Sequence, residues 1–72
     1  MLKTLVNLRV ARKRRGLVQE DLAALTGISR STIAELETGR RRARPATTDK
    51  LAVILRTRPE KLYRVVGENT QE

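Results

Sequence analysis

The sequence predicts an all-α fold, a compact bundle of five short helices, and two patterns carry that prediction. No stretch alternates apolar and polar residues with period two for long enough to make a strand. Apolar residues recur three and four apart instead, in short segments separated by Gly16, Gly27, Gly39, the break before Pro59, and Gly67.

Residues 1–15 are read as the first helix, with Leu5, Leu8 and Ala11 as its apolar stripe and Gly16 at its end. Residues 19–25 follow, with Leu22, Ala23 and Leu25 apolar before the break Thr26-Gly27-Ile28. Ser29 is a natural N-cap for a third helix over 30–37, where Ile33 and Leu36 lie three apart on one face. Thr38-Gly39 closes it, and the basic loop Arg40-Arg41-Arg42-Ala43-Arg44-Pro45 comes next. Thr47 or Thr48 is expected to cap a fourth helix reaching Arg56 through Leu51, Ala52, Ile54 and Leu55. Pro59 at a first helical position, with Glu60 favouring the positive helix end, starts a short fifth helix through Val66.

Seventy-two residues allow one domain, placed at 1–67, with 68–72 a frayed tail. The chain has no cysteine and no histidine, which excludes disulfides and thiolate metal clusters and removes the commonest metal ligand and general base. Its eight carboxylates are scattered without an obvious pair, so no enzyme, metal or cofactor is expected. Apolar runs are too short to span a bilayer, and the basic N-terminus lacks the apolar core of a secretory signal. A transit peptide would be Arg-rich in the same way, but removing it would remove a stripe that the packing needs.

Sixteen Lys and Arg against eight Asp and Glu leave a charge of +8, which points to a polyanionic partner. Single-stranded RNA readers stack bases on aromatic rings, and Tyr63 alone is a poor platform. A membrane-surface helix would need a longer apolar stripe than the N-terminus offers.

Two helices joined by a short break with a glycine in it read as a helix-turn-helix. Ala23 must be small where the helices cross, and Gly27 supplies the left-handed turn. Ile28, Ile33 and Leu36 bury the underside of the third helix and leave its outer edge free. On such an edge an arginine fork suits guanine, a carboxylate accepts from cytosine, and hydroxyls are permissive. The clusters at residues 12–15 and 40–44 suit phosphates.

With Leu8, Ala11-Arg12, Gly16-Leu17, Gln19-Glu20, Leu22-Ala23, Gly27-Ile28-Ser29, Ile33, Leu36-Glu37, Gly39, Pro45 and Leu51-Ala52 in this spacing, the chain resembles the phage repressor/Cro-type helix-turn-helix proteins, also called the xenobiotic-response-element family. The resemblance implies a lambda-repressor-like DNA-binding domain whose third helix enters the major groove of double-stranded DNA, usually as a homodimer. It places Arg30, Ser31, Thr32 and Glu35 on the groove-facing side as base contacts. It implies phosphate contacts by Gln19, Ser29, Arg40, Arg41, Arg42 and Arg44, and an ion pair between Arg12 and Glu37 that ties the first helix to the third. A cytoplasmic, nucleoid-associated transcription regulator or repressor of bacterial or phage type is the expectation, with no small-molecule ligand. The alternative is an antitoxin-like DNA-binding protein whose main partner is another protein.

Three departures from the family pattern matter. Val18 stands where Ser or Thr often caps the second helix. Thr26 replaces a larger aliphatic, with Leu25 expected to swing inward in compensation. The loop after Gly39 is about one residue longer than usual. Val65 and Val66 are candidates for a dimer seam.

Overall fold

The computed structural model describes residues 1–64. These form α1 (Leu8–Arg14), α2 (Gln19–Thr26), α3 (Arg30–Thr38), α4 (Pro45–Leu55) and α5 (Pro59–Tyr63). The fold is all-α, and the only β-type pairing among the described residues is an isolated bridge between Lys3 and Ala43.

Helix α2 packs on α3 and α4, α4 on α5, and α1 closes the bundle against α3 and α5. The centre is aliphatic: Leu5 and Leu8 come from the N-terminal side, Leu22 from α2, and Ile33 and Leu36 from α3. Leu51, Ala52 and Leu55 of α4 and Leu62 of α5 complete it. Without a Phe or Trp to fill space, Leu and Ile do most of the packing, and burying each contributes about 1.5–3 kcal/mol.

The N-terminus differs from the sequence expectation. Residues 2–6 are not helical, because the Lys3 amide donates to the Ala43 carbonyl at 2.9 Å and the Ala43 amide donates back at 2.7 Å. A turn then places the Leu8 amide on the Leu5 carbonyl at 3.1 Å, so Leu5 is buried from a turn rather than from a helical stripe. Asn7 fixes the start of α1 to the end of α5. Its backbone amide donates to the Leu62 carbonyl at 2.9 Å, and its side-chain amide donates to the carbonyls of Lys61, at 3.1 Å, and Arg64.

Helix α4 begins at Pro45, two residues before the expected threonine caps. Proline fits the first turn because its missing N–H would have no intrahelical partner there. Thr48 is buried instead and turns its hydroxyl back to the Arg44 carbonyl at 3.1 Å. The helix ends with Arg56 in the left-handed region, φ 55°. Helix α5 starts at Pro59 as expected but stops at Tyr63, since Arg64 is extended at φ −84°, ψ 145°. The expectations for Val65, Val66, Gly67 and the 68–72 tail lie outside the described residues.

Tyr63 packs on the core, and the Lys3 ammonium stands over its ring at 4.7 Å from the centroid. The N-terminal segment thereby touches both the basic loop and α5.

Candidate nucleic-acid interface

The turn between α2 and α3 is built by two residues. Gly27 is left-handed at φ 77° and its amide donates to the Ala23 carbonyl at 2.8 Å, ending α2. Thr26 is buried, its hydroxyl donating to the Leu22 carbonyl at 2.7 Å and accepting from the Ile28 amide at 3.1 Å. The threonine therefore ties the turn together with hydrogen bonds where a larger aliphatic would only fill space. Leu25 does not swing inward and stays 55% exposed, because Thr26 leaves no hole for it.

Val18 cannot cap α2 with its side chain. Asp21 reaches back instead, its carboxylate accepting from the Val18 amide at 3.0 Å. Half of a capping box is thus present, and Glu20 and Asp21 place negative charge in the first turn where it opposes the helix dipole.

Ser29 caps α3 as expected, its hydroxyl accepting from the Thr32 amide at 3.2 Å. The Ser29 hydroxyl also donates to that of Thr32 at 2.9 Å and lies 3.4 Å from that of Ser31. Ile33 and Leu36 hold the underside in the core, and Arg30 and Ser31 are exposed.

Behind this edge lies the structural ion pair. The Arg12 Nε donates to Glu37 Oε2 at 2.6 Å and its Nη2 to Oε1 at 3.1 Å, while its Nη1 donates to the Leu17 carbonyl at 2.8 Å. Both side chains are nearly out of solvent, at 8% and 3% exposure. The hydrogen bond to Glu37 raises the Arg12 pKa above its ordinary value, against the opposing effect of burial. Gln19 joins the pair by donating to Glu37 Oε1 at 3.1 Å, and its amide oxygen accepts from Arg30 at 3.4 Å. Arg12, Glu37, Gln19 and Arg30 therefore form one chain of contacts linking α1, α2 and α3.

An open cleft of ≈ 510 Å³ lies over this chain, walled by Arg9, Val18, Gln19 and Arg30. Arg9 was not singled out from the sequence. Its spacing of three from Arg12 on one helix was the available signal.

Glu35 stands apart from Arg30. Its carboxylate accepts from Arg41 at 2.8 Å, so one candidate base contact is paired with one candidate phosphate contact. Arg40, Arg42 and Arg44 are exposed and make no ion pair among the described residues. Ala43 between them is buried, which turns the loop's small residue inward and its arginines outward.

Residues 6–65 match the family model described as a helix-turn-helix domain. The chain belongs to that family. An uncharacterised helix-turn-helix-type transcriptional regulator of Bacillus subtilis, RghRB, is 41% identical over 61 residues, which cover 83% of this chain and 44% of that protein. The chain thus spans less than half the length of that relative. Among solved structures, the restriction-modification controller protein C.AhdI of Aeromonas hydrophila superposes with a TM-score of 0.74 at 38% identity. That match covers 79% of this chain and 86% of the controller. A hypothetical transcription factor from Neisseria, NHTF, gives a TM-score of 0.82 at 26% identity, over 94% of this chain and 80% of that one.

Proposed function

We propose that the protein is a sequence-specific, double-stranded-DNA-binding transcription regulator that places α3 in the major groove. The observation that carries this reading is the exposed first turn of α3, with Arg30 and Ser31 at its edge, held rigidly by the Arg12–Glu37–Gln19 chain behind it. Arg30, Ser31 and Thr32 are the proposed base contacts. Gln19, Ser29 and the loop arginines Arg40, Arg42 and Arg44 are the proposed phosphate contacts. Glu35 and Arg41, which the sequence groups with these two sets, bond each other.

The relatives named as transcription regulators and as a controller protein support the reading, as does the surplus of cationic charge. The role is binding rather than catalysis. The proposed active form is a homodimer, and the proposed place of action is the bacterial cytoplasm at the nucleoid. No helix among the described residues is long and apolar enough to cross a membrane.

Selection of bound sites from a random duplex pool tests this directly. The expected result is a two-fold-symmetric site with half-site centres about 34–36 Å apart, one turn of the double helix. Recovery of no enriched sequence would overturn the specific reading, and an enriched but unsymmetrical site would overturn the homodimer.

A further inference from the structure

We propose that Glu35 is a positioning residue for the arginine loop, and not a base reader: its carboxylate holds Arg41 as a fixed, neutral strut. The loop's phosphate-binding charge then comes from Arg40, Arg42 and Arg44. This assignment rests on the DNA-binding reading and specifies how charge is distributed at that site.

The pairing is more than two neighbouring charges. Arg41 Nε and Nη2 both lie 2.8 Å from Glu35 Oε1. The Arg41 backbone amide also donates to the Glu35 carbonyl at 3.3 Å, and the Thr38 hydroxyl donates to the same carbonyl at 3.2 Å. One residue of α3 therefore engages both the main chain and the side chain of one loop residue. Two positions further on, the loop is fixed again by the paired amides of Lys3 and Ala43. The arc after Gly39 is held at its middle and at its end, while Arg40, Arg42 and Arg44 project without an ion-pair partner among the described residues.

Electrostatics gives the pairing its consequence. A bare carboxylate near a DNA backbone is repelled by phosphates, and pairing with Arg41 cancels that charge locally. If Arg41 left for a phosphate, Glu35 would be unpaired beside the polyanion. The exchange trades one charge-assisted contact for another and adds a repulsion. If Glu35 turned to a cytosine amine, Arg41 would lose its side-chain anchor. Retaining the pair avoids both costs. An exposed pair of this kind contributes little to folding, so its value lies in placing the loop.

The experiment uses Arg41→Ala, Glu35→Gln and the double variant in the full chain. Affinity for a random-sequence duplex is measured over a series of salt concentrations, and sites are selected for the wild type and for Glu35→Gln. Melting curves verify folding, which both side chains permit at 41% and 55% exposure.

Each phosphate neutralised contributes a slope of about −0.9 in log affinity against log salt. The expected result is a flatter slope for Arg41→Ala, which leaves a bare carboxylate beside the phosphates, and one steeper by about 0.9 for Glu35→Gln, whose arginine is freed. The double variant returns to the wild-type slope, and Glu35→Gln selects the same bases as the wild type.

The proposal is overturned by a slope flattened by about 0.9 in the double variant, which would make Arg41 itself a phosphate contact. It is equally overturned by an unchanged slope in Glu35→Gln, or by an altered base preference in its selected sites. Wild-type protein that binds no duplex at all removes the DNA-binding reading and this assignment together. Any of the other three failures, with wild-type binding intact, removes only the assignment of Glu35.

Discussion

Arg12 and Glu37, twenty-five residues apart in sequence, face each other through two hydrogen bonds of 2.6 and 3.1 Å in nearly complete burial. The pair joins α1 to the helix that carries the candidate reading edge, so stability and site geometry meet there.

Removing one partner leaves the other charge buried and uncompensated, which costs about 3–5 kcal/mol, the scale of the whole folding free energy of so small a domain. Arg12→Ala is therefore expected to be largely unfolded in a urea titration followed by circular dichroism. Arg12→Met combined with Glu37→Leu should retain far more stability than either single change. The pH sign follows from the raised Arg12 pKa. A base strengthened by folding keeps its contribution below its unfolded pKa and loses it only as pH rises through the folded one. The Arg12 contribution is thus expected to stay constant between about pH 6 and 9 and to fall only in strong alkali.

Thr26 supports a second prediction. Thr26→Val keeps the shape but leaves the Ile28 amide without its acceptor, an expected loss of about 1–3 kcal/mol. Thr26→Ser keeps both hydrogen bonds and should lose less. Equal midpoints for Val and wild type in urea would show that the hydroxyl contributes nothing.

Two backbone positions should respond with opposite sign. A Cβ at Gly27 would meet nothing within 4 Å, so Gly27→Ala carries only the cost of a left-handed residue, about 1–2 kcal/mol. Arg56 already carries that strain at φ 55°. Arg56→Gly should therefore raise the melting temperature by an amount corresponding to about 0.5–1 kcal/mol, after the greater chain entropy of glycine is counted.

Arg30→Ala distinguishes reading from clamping. Its place in the first turn of α3, in contact with Gln19, predicts a loss of about 1–3 kcal/mol on the selected site and a much smaller loss on random DNA. Gel-shift titrations at one fixed salt measure both. Equal losses would make Arg30 a phosphate contact.

The bundle was readable because its instructions are local. Gly16, Gly27 and Gly39 all have positive φ, and Ser29 caps its helix through its own third neighbour. The Arg12–Glu37 pair was also anticipated, through resemblance rather than through any local pattern. The misses have a common cause in contacts made far along the chain. Residues 2–6 look helical until Ala43 takes the Lys3 amide, and Thr26 looks like a gap until its hydroxyl finds two backbone partners. At the site, the start of α3 was legible from capping and spacing. The link between Glu35 and Arg41 was not, because it depends on the path of a loop whose curvature no periodicity encodes.

The mutual amide bonding of Lys3 and Ala43 uses main-chain groups alone, so most exchanges of side chain at residue 3 would leave the clasp fastened, whereas residue 43 is buried and admits only a small side chain. Proline at residue 3 or 43 would unfasten it, by removing a donor that no other group replaces. For anyone re-engineering the arginine segment, residue 3 is thus a remote handle: it changes the segment's tether while leaving each of its arginines in place.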